Sequence, residues 1–228
     1  WTLFATWLAA LLSVFLAARM HLSRAAGVAA ALFALFDPGG WWVGGHQFVM
    51  KNGIWLPTIA GALTLVALAL APRAVARGRV GGRTGLAMTG ALLGVGILFH
   101  PLALQLAIAA FIPFVIALLT SPLDLPLSKG NGILRLAWIV CGAAATSAFW
   151  LIPLIRARRF NADFPFWPPS AAEIWAQLLD GKILHQPAIW LGVTLCGLFL
   201  LAARSDAFSR FIVLFVPAAI FLTTSDAL

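Results

Sequence analysis

At 228 residues, 62% of them hydrophobic and only 10% charged, this chain is too apolar to clothe a soluble domain of its size in polar surface. Its formal charge of +8 is spread over short loops between apolar runs, which excludes a nucleic-acid-binding patch as the meaning of the excess. What remains is an integral membrane protein, all-α, a single polytopic helix bundle over residues 1–228.

A helix rises ~1.5 Å per residue and the hydrocarbon core is ~30 Å thick, so a span needs roughly 20 apolar residues. In chain order the apolar runs are 1–18, 22–36, 54–72, 84–99, 101–120, 133–155, 187–203 and 209–225, which predict about eight spans. The run 22–36 is short and crosses with Arg24 snorkelling to the surface. The 38 residues from Thr84 to Ser121 exceed one helix, and His100-Pro101 is the natural break. Gly90-Ala-Leu-Leu-Gly94, followed by Gly96, predicts a helix that approaches a neighbour closely. After the sixth run, Ser170 and Glu173 form a capping box, and Ile174, Trp175, Leu178 and Leu179 give the short helix behind it one apolar face, suited to lying flat in the interface. Cys141 and Cys196 have neither disulfide nor metal-ligand spacing and read as small core residues. The start at Trp1, with no Met and no basic leader, reads as a segment excised from a longer membrane protein.

Alternating the loops places Arg19, Arg24, Arg73, Arg77, Arg79, Arg83, Lys129, Arg135, Arg204 and Arg210 on one side, with Lys51, Arg156, Arg158, Arg159 and Lys182 on the other. The richer side is cytoplasmic by the positive-inside rule, and Arg73–Arg83 is an ordinary topogenic loop. Eight of the ten tryptophans then fall at or near the outer face of a cytoplasmic (inner) membrane.

Three outward segments carry the polar chemistry. The first, Asp37 to Pro57, combines Asp37, His46 and Lys51 with Trp41, Trp42 and a run of glycines that forbids regular helix. Irregular yet apolar backbone of this kind folds back against a bundle, where it lines a cavity. The plainer reading makes Asp37 an Asx turn and His46 an interfacial histidine. The second is His100, at the tip of a hairpin: a helix-terminal cap, or a general base or phosphate contact titrating near neutrality. The third is the long loop 156–186, facing the periplasm. It opens with Arg156, Arg158 and Arg159 and continues to Asp163. Three arginines against the topological bias call for an anion: a phosphate clamp, or simple snorkelling to anionic headgroups. No carboxylates stand in a clear metal-binding arrangement; a divalent cofactor is left open.

A His-Pro-broken hairpin, preceded by Gly-His-Gln-Phe…Asn-Gly-Ile-Trp-Leu-Pro and followed by Ala-Phe-Trp-Leu-Ile-Pro-Leu, resembles a bacterial membrane family labelled "6-pyruvoyl-tetrahydropterin synthase-related", which is similar to YfhO-like and GT-C-type glycosyltransferases. The resemblance covers roughly residues 25–165. It implies a membrane glycosyltransferase, or a segment of one, using a polyprenyl-phosphate-linked sugar donor at the outer face. It implies an acidic residue in the family's first outer loop, which lies before Trp1 if the chain begins at later helices; here Asp37 or Asp163 would serve as the acid, with Arg156, Arg158, Arg159 and His100 on phosphate. The competing readings are a non-catalytic or transport protein for lipid-linked saccharides, and a membrane anchor for an enzyme elsewhere on the chain.

Overall fold

The computed structural model describes residues 1–36, 49–50, 55–76, 82–100, 102–120, 129–156, 170–180, 187–204 and 206–222. These contain nine helices and, among the described residues, no strand: α1 Thr2–His21, α2 Arg24–Phe36, α3 Leu56–Ala76, α4 Gly82–Phe99, α5 Leu102–Thr120, α6 Lys129–Arg156, α7 Ala171–Leu179, α8 Pro187–Ala202 and α9 Ala207–Leu222. Three of them, α1, α3 and α6, contain stretches long and apolar enough to cross a membrane. Apolar stretches in α2, α4, α5 and α9 are shorter.

The helix boundaries follow from local chemistry. Ser23 begins α2 by accepting the Ala26 N–H on its hydroxyl at 3.0 Å. Asp206 does the same for α9, taking the Ser209 N–H at 2.9 Å. The capping box before α7 is reciprocal: the Glu173 carboxylate accepts the Ser170 N–H at 2.7 Å, and the Ser170 hydroxyl accepts the Glu173 N–H at 3.2 Å. Between α4 and α5 the break falls at His100-Pro101, with the Ala103 N–H returning to the His100 carbonyl at 3.0 Å. Helix α6 extends the expected run 133–155 slightly at both ends. It runs through Pro153 to Arg156 because a proline near a helix end removes one hydrogen bond, here that of the Phe149 carbonyl, without stopping the last turn.

Among the described residues, alanine makes up about half of the buried apolar positions, alongside larger side chains such as Phe114, Ile139 and Phe211. Ala60, Ala67, Ala69, Ala71, Ala103, Ala110 and Ala117 are buried, whereas Phe149, Ile112, Leu134 and Trp138 face outward. That inversion suits a hydrocarbon surrounding, where large side chains gain nothing by hiding and small ones let backbones meet. Helix α4 shows the effect. A β-carbon at Gly90 would stand 2.6 Å from the Ile139 carbonyl oxygen, and one at Gly94 would stand 2.6 Å from Thr146 Cβ, so α4 and α6 touch backbone to backbone. Gly96 turns to α3 instead, 3.1 Å (from its β-carbon position) to Thr64 Oγ1. Cys141 and Cys196 are exposed on the bundle exterior, which corrects their reading as core residues. On α6 the buried positions Leu136, Ile139 and Ala143 define the inward face, and Cys141 falls outside it, beside exposed Trp138 and Val140.

Helices α1, α3 and α5 run in one direction and α4, α6 and α9 in the other, so that their termini gather at two ends. One end is basic. Arg73 donates to the Met20 carbonyl at the end of α1, Arg135 to the Val75 carbonyl at the end of α3 (2.7 Å), and Arg210 to the Thr120 carbonyl at the end of α5. Each guanidinium thus satisfies a carbonyl near a neighbour's C-terminus, where backbone acceptors are left without partners and the helix dipole is negative. Arg73 is therefore part of α3 and of this capping set rather than of a plain topogenic loop.

Candidate functional site

At the opposite end lie Trp55, His100 and Arg156. Trp55, just before α3, meets Phe99 edge-on at 6.5 Å, and Trp150 joins Phe99 around buried Ala60, Ile97 and Ala103. His100 follows directly after Phe99 in the α4–α5 turn. It is half-buried, and burial holds its imidazole below the ordinary histidine pKa, so the neutral form dominates at neutral pH. A neutral imidazole is competent as a base or as a hydrogen-bond partner of phosphate. Arg156 is the last residue of α6, one turn past Pro153, and is exposed. The two belong to the same end of the bundle. The remaining predicted site residues, Asp37, Trp41, Trp42, His46, Lys51, Arg158, Arg159 and Asp163, lie outside the described residues.

Helix α7 follows later in the chain, and its Glu173 carboxyl is held below the usual carboxylate range by the Ser170 amide and hydroxyl that donate to it. Its Trp175 is 52% exposed while Ile174 is half-buried. Among the described residues no group of three His, Cys, Asp or Glu side chains could hold a metal ion.

Sequence reading did not foresee the cavity between α3, α4, α5 and α6. It has a volume of about 360 Å³ and runs from Ala71, Phe114 and Leu136 near the basic end to Ile97, Leu104 and Leu151 toward the other. Its walls are almost wholly apolar. The two hydroxyls that reach it have their protons engaged: Thr89 donates to the Gly85 carbonyl at 2.7 Å and Ser147 to the Ala143 carbonyl at 2.9 Å. Beyond the lone pairs of these two hydroxyls, such a slot offers a polar guest no hydrogen bond. It suits an aliphatic chain. The sequence signal was present in the alanines at 107, 110, 143 and 144, but small residues announce close packing and lateral space alike.

Comparison with models of protein families, with curated proteins and with solved structures gave no match. The described residues define an all-helical fold with three helices long and apolar enough to cross a membrane, an apolar interhelical slot, and a cluster of aromatic and ionisable groups at the end opposite its basic caps.

Proposed function

We propose that the chain is a polytopic inner-membrane protein of about eight spans, in which the shorter apolar helices also cross, and that it is a GT-C-like glycosyltransferase or a segment of one. The observation that carries this reading is the apolar slot among α3, α4, α5 and α6, which fits the aliphatic tail of a lipid-linked donor and leads toward the end bearing His100 and Arg156. Tail and headgroup then occupy one path, the tail in the slot and the phosphate among the cations outside the cytoplasm.

In the reaction, the acceptor hydroxyl attacks the anomeric carbon of the sugar and the bond from that carbon to the phosphate oxygen breaks. The hydroxyl proton goes to a carboxylate, Asp37 or Asp163, and the electron pair stays on the departing lipid phosphate. Arg156, Arg158 and Arg159 would hold that phosphate, with His100 beside it and His46, Lys51, Trp41 and Trp42 on the sugar and diphosphate side. Stabilising the leaving charge is the main catalytic contribution. Carriage of saccharide through the bundle is less well supported. A sugar path needs free polar groups in its walls, and the slot's two hydroxyls are bound to their own helices.

The test is sugar transfer by the full-length protein from a polyprenyl-phosphate sugar, with Arg156, Arg158 and Arg159 each changed to Ala. Loss of one charge-assisted contact to phosphate is expected to slow transfer roughly ten- to a hundredfold. Full activity in all three variants would remove the clamp.

A further inference from the structure

Helix α5 is divided in two by Pro113, which cannot donate to the Ala109 carbonyl and so leaves the helix ladder one hydrogen bond short at its middle. The two halves are held differently. On the basic-end side, Phe114 packs edge-on against Phe211 of α9 at 5.5 Å, Ala117 is buried, and the Thr120 carbonyl accepts from Arg210. Helix α9 is itself fastened there: Phe208 stacks on His21 at 3.6 Å and 9° between planes, while His21 Nε2 lies 2.6 Å from the Ala69 carbonyl oxygen of α3. Side-chain hydrogen bonds from His21, Arg73, Arg135 and Arg210 tie helices together at this end.

The other half, Leu102 to Ile112, walls the slot through Leu104, Ala107, Ile108 and Phe111. Buried Ala103 and Ala110 hold it by apolar contact. In hydrocarbon such contact is exchanged for contact with lipid at little cost, whereas a broken polar tie is left unsatisfied. The Ala103 N–H bonded to the His100 carbonyl keeps the top of this half beside α4, and α5 meets α6 only sparingly. The side free to part is therefore the one between α5 and α6.

We infer that the Leu102–Ile112 half of α5 is a gate. It swings about Pro113, away from α6, and admits an aliphatic lipid chain sideways from the bilayer into the slot, while the basic end stays fixed. This deepens the lipid-donor reading and rests on it for the identity of the guest, but the motion itself is readable without any transfer reaction.

The experiment uses the full chain in proteoliposomes, with exposed Cys141 and Cys196 first replaced by Ser and spin labels placed in pairs. One pair, Ile108→Cys with Ala144→Cys, spans the slot; the other, Leu119→Cys with Leu134→Cys, spans the fixed end. The expected result is a broad distance distribution with a longer component for the first pair and a narrow one for the second. Pro113→Ala should abolish the longer component of the first pair and leave the second unchanged, the latter also showing that the variant is folded. Arg210→Ala should broaden the second pair by releasing the fixed end. Added polyprenyl phosphate should enlarge the longer component in the native chain. If Pro113→Ala leaves the first distribution as it was, or both pairs are equally broad in the native chain, the gate is overturned. If the Pro113 effect stands and polyprenyl phosphate changes nothing, the lipid-donor reading fails while the gate survives.

Discussion

Helix α6 has two very different neighbours. Toward α4 it meets Gly90 and Gly94 so closely that neither position has room for a methyl group; toward α5 it leaves a cavity of about 360 Å³. Both seams are apolar, and both lie in the same stretch of chain. The difference is side-chain size at the contact. Glycine in α4 brings backbone against backbone, where many weak dispersion contacts add up, while the facing part of α5 carries larger side chains such as Leu104, Ile108 and Phe111 around the slot. A bundle without a hydrophobic driving force inside the bilayer is therefore tight where it carries glycine and open where it carries bulk.

The largest effect expected from breaking this contrast is at the tight seam. Gly94→Leu must displace Thr146 and the Ala143 carbonyl, which a β-carbon would approach to 2.6 and 2.8 Å. A loss of about 1–3 kcal/mol is expected in detergent unfolding. Gly61→Leu and Gly197→Leu, where a β-carbon meets nothing within 4 Å, are the matched controls; equal stability across the three would mean the seam does not hold the bundle.

The open seam responds in the opposite sense. Ala107→Phe places a ring in existing space, so unfolding should shift by no more than ~1 kcal/mol. Polyprenyl phosphate binding should nevertheless fall, and binding equal to that of the native chain would separate the slot from the lipid.

The smallest effect concerns the fixed end. Burial pushes the Asp206 carboxyl up, but the Ser209 hydroxyl and amide and Arg204 outweigh it and hold the group below the usual carboxylate range. A depressed carboxyl stabilises the fold above its unfolded pKa, so this contribution is intact above about pH 4 and is lost as pH falls below that. With Asp206 partly exposed, the loss is worth about 0.5–1 kcal/mol, a cap's usual contribution. Asp206→Asn should remove this acid dependence from the unfolding profile, and an unchanged profile would assign it to other carboxylates.

Much of the helical layout was legible from residue type alone. The His100-Pro101 break, the Ser170–Glu173 box and the close approach of Gly90 and Gly94 each depend on local chemistry that a short window contains. The end of α3 was less so, because Pro72 looks like a stop but sits near a terminus where one missing hydrogen bond is tolerated. Of the candidate site, His100 and Arg156 fall at one end of the bundle, as alternating spans imply, while Asp37, His46, Arg158, Arg159 and Asp163 lie outside the described residues. Cys141 was misread because an apolar run shows that a residue is in the membrane, not which way it faces.

The sequence by itself determined that the chain is helical and strongly apolar, and roughly where its helices lie, since those properties are sums over neighbouring residues. Only the tertiary structure decided that Arg73, Arg135 and Arg210 cap other helices and that α3, α4, α5 and α6 enclose an apolar slot beside Pro113. Both arise from contacts between residues tens of positions apart, and the sizes of facing side chains become a distance only once the helices are packed.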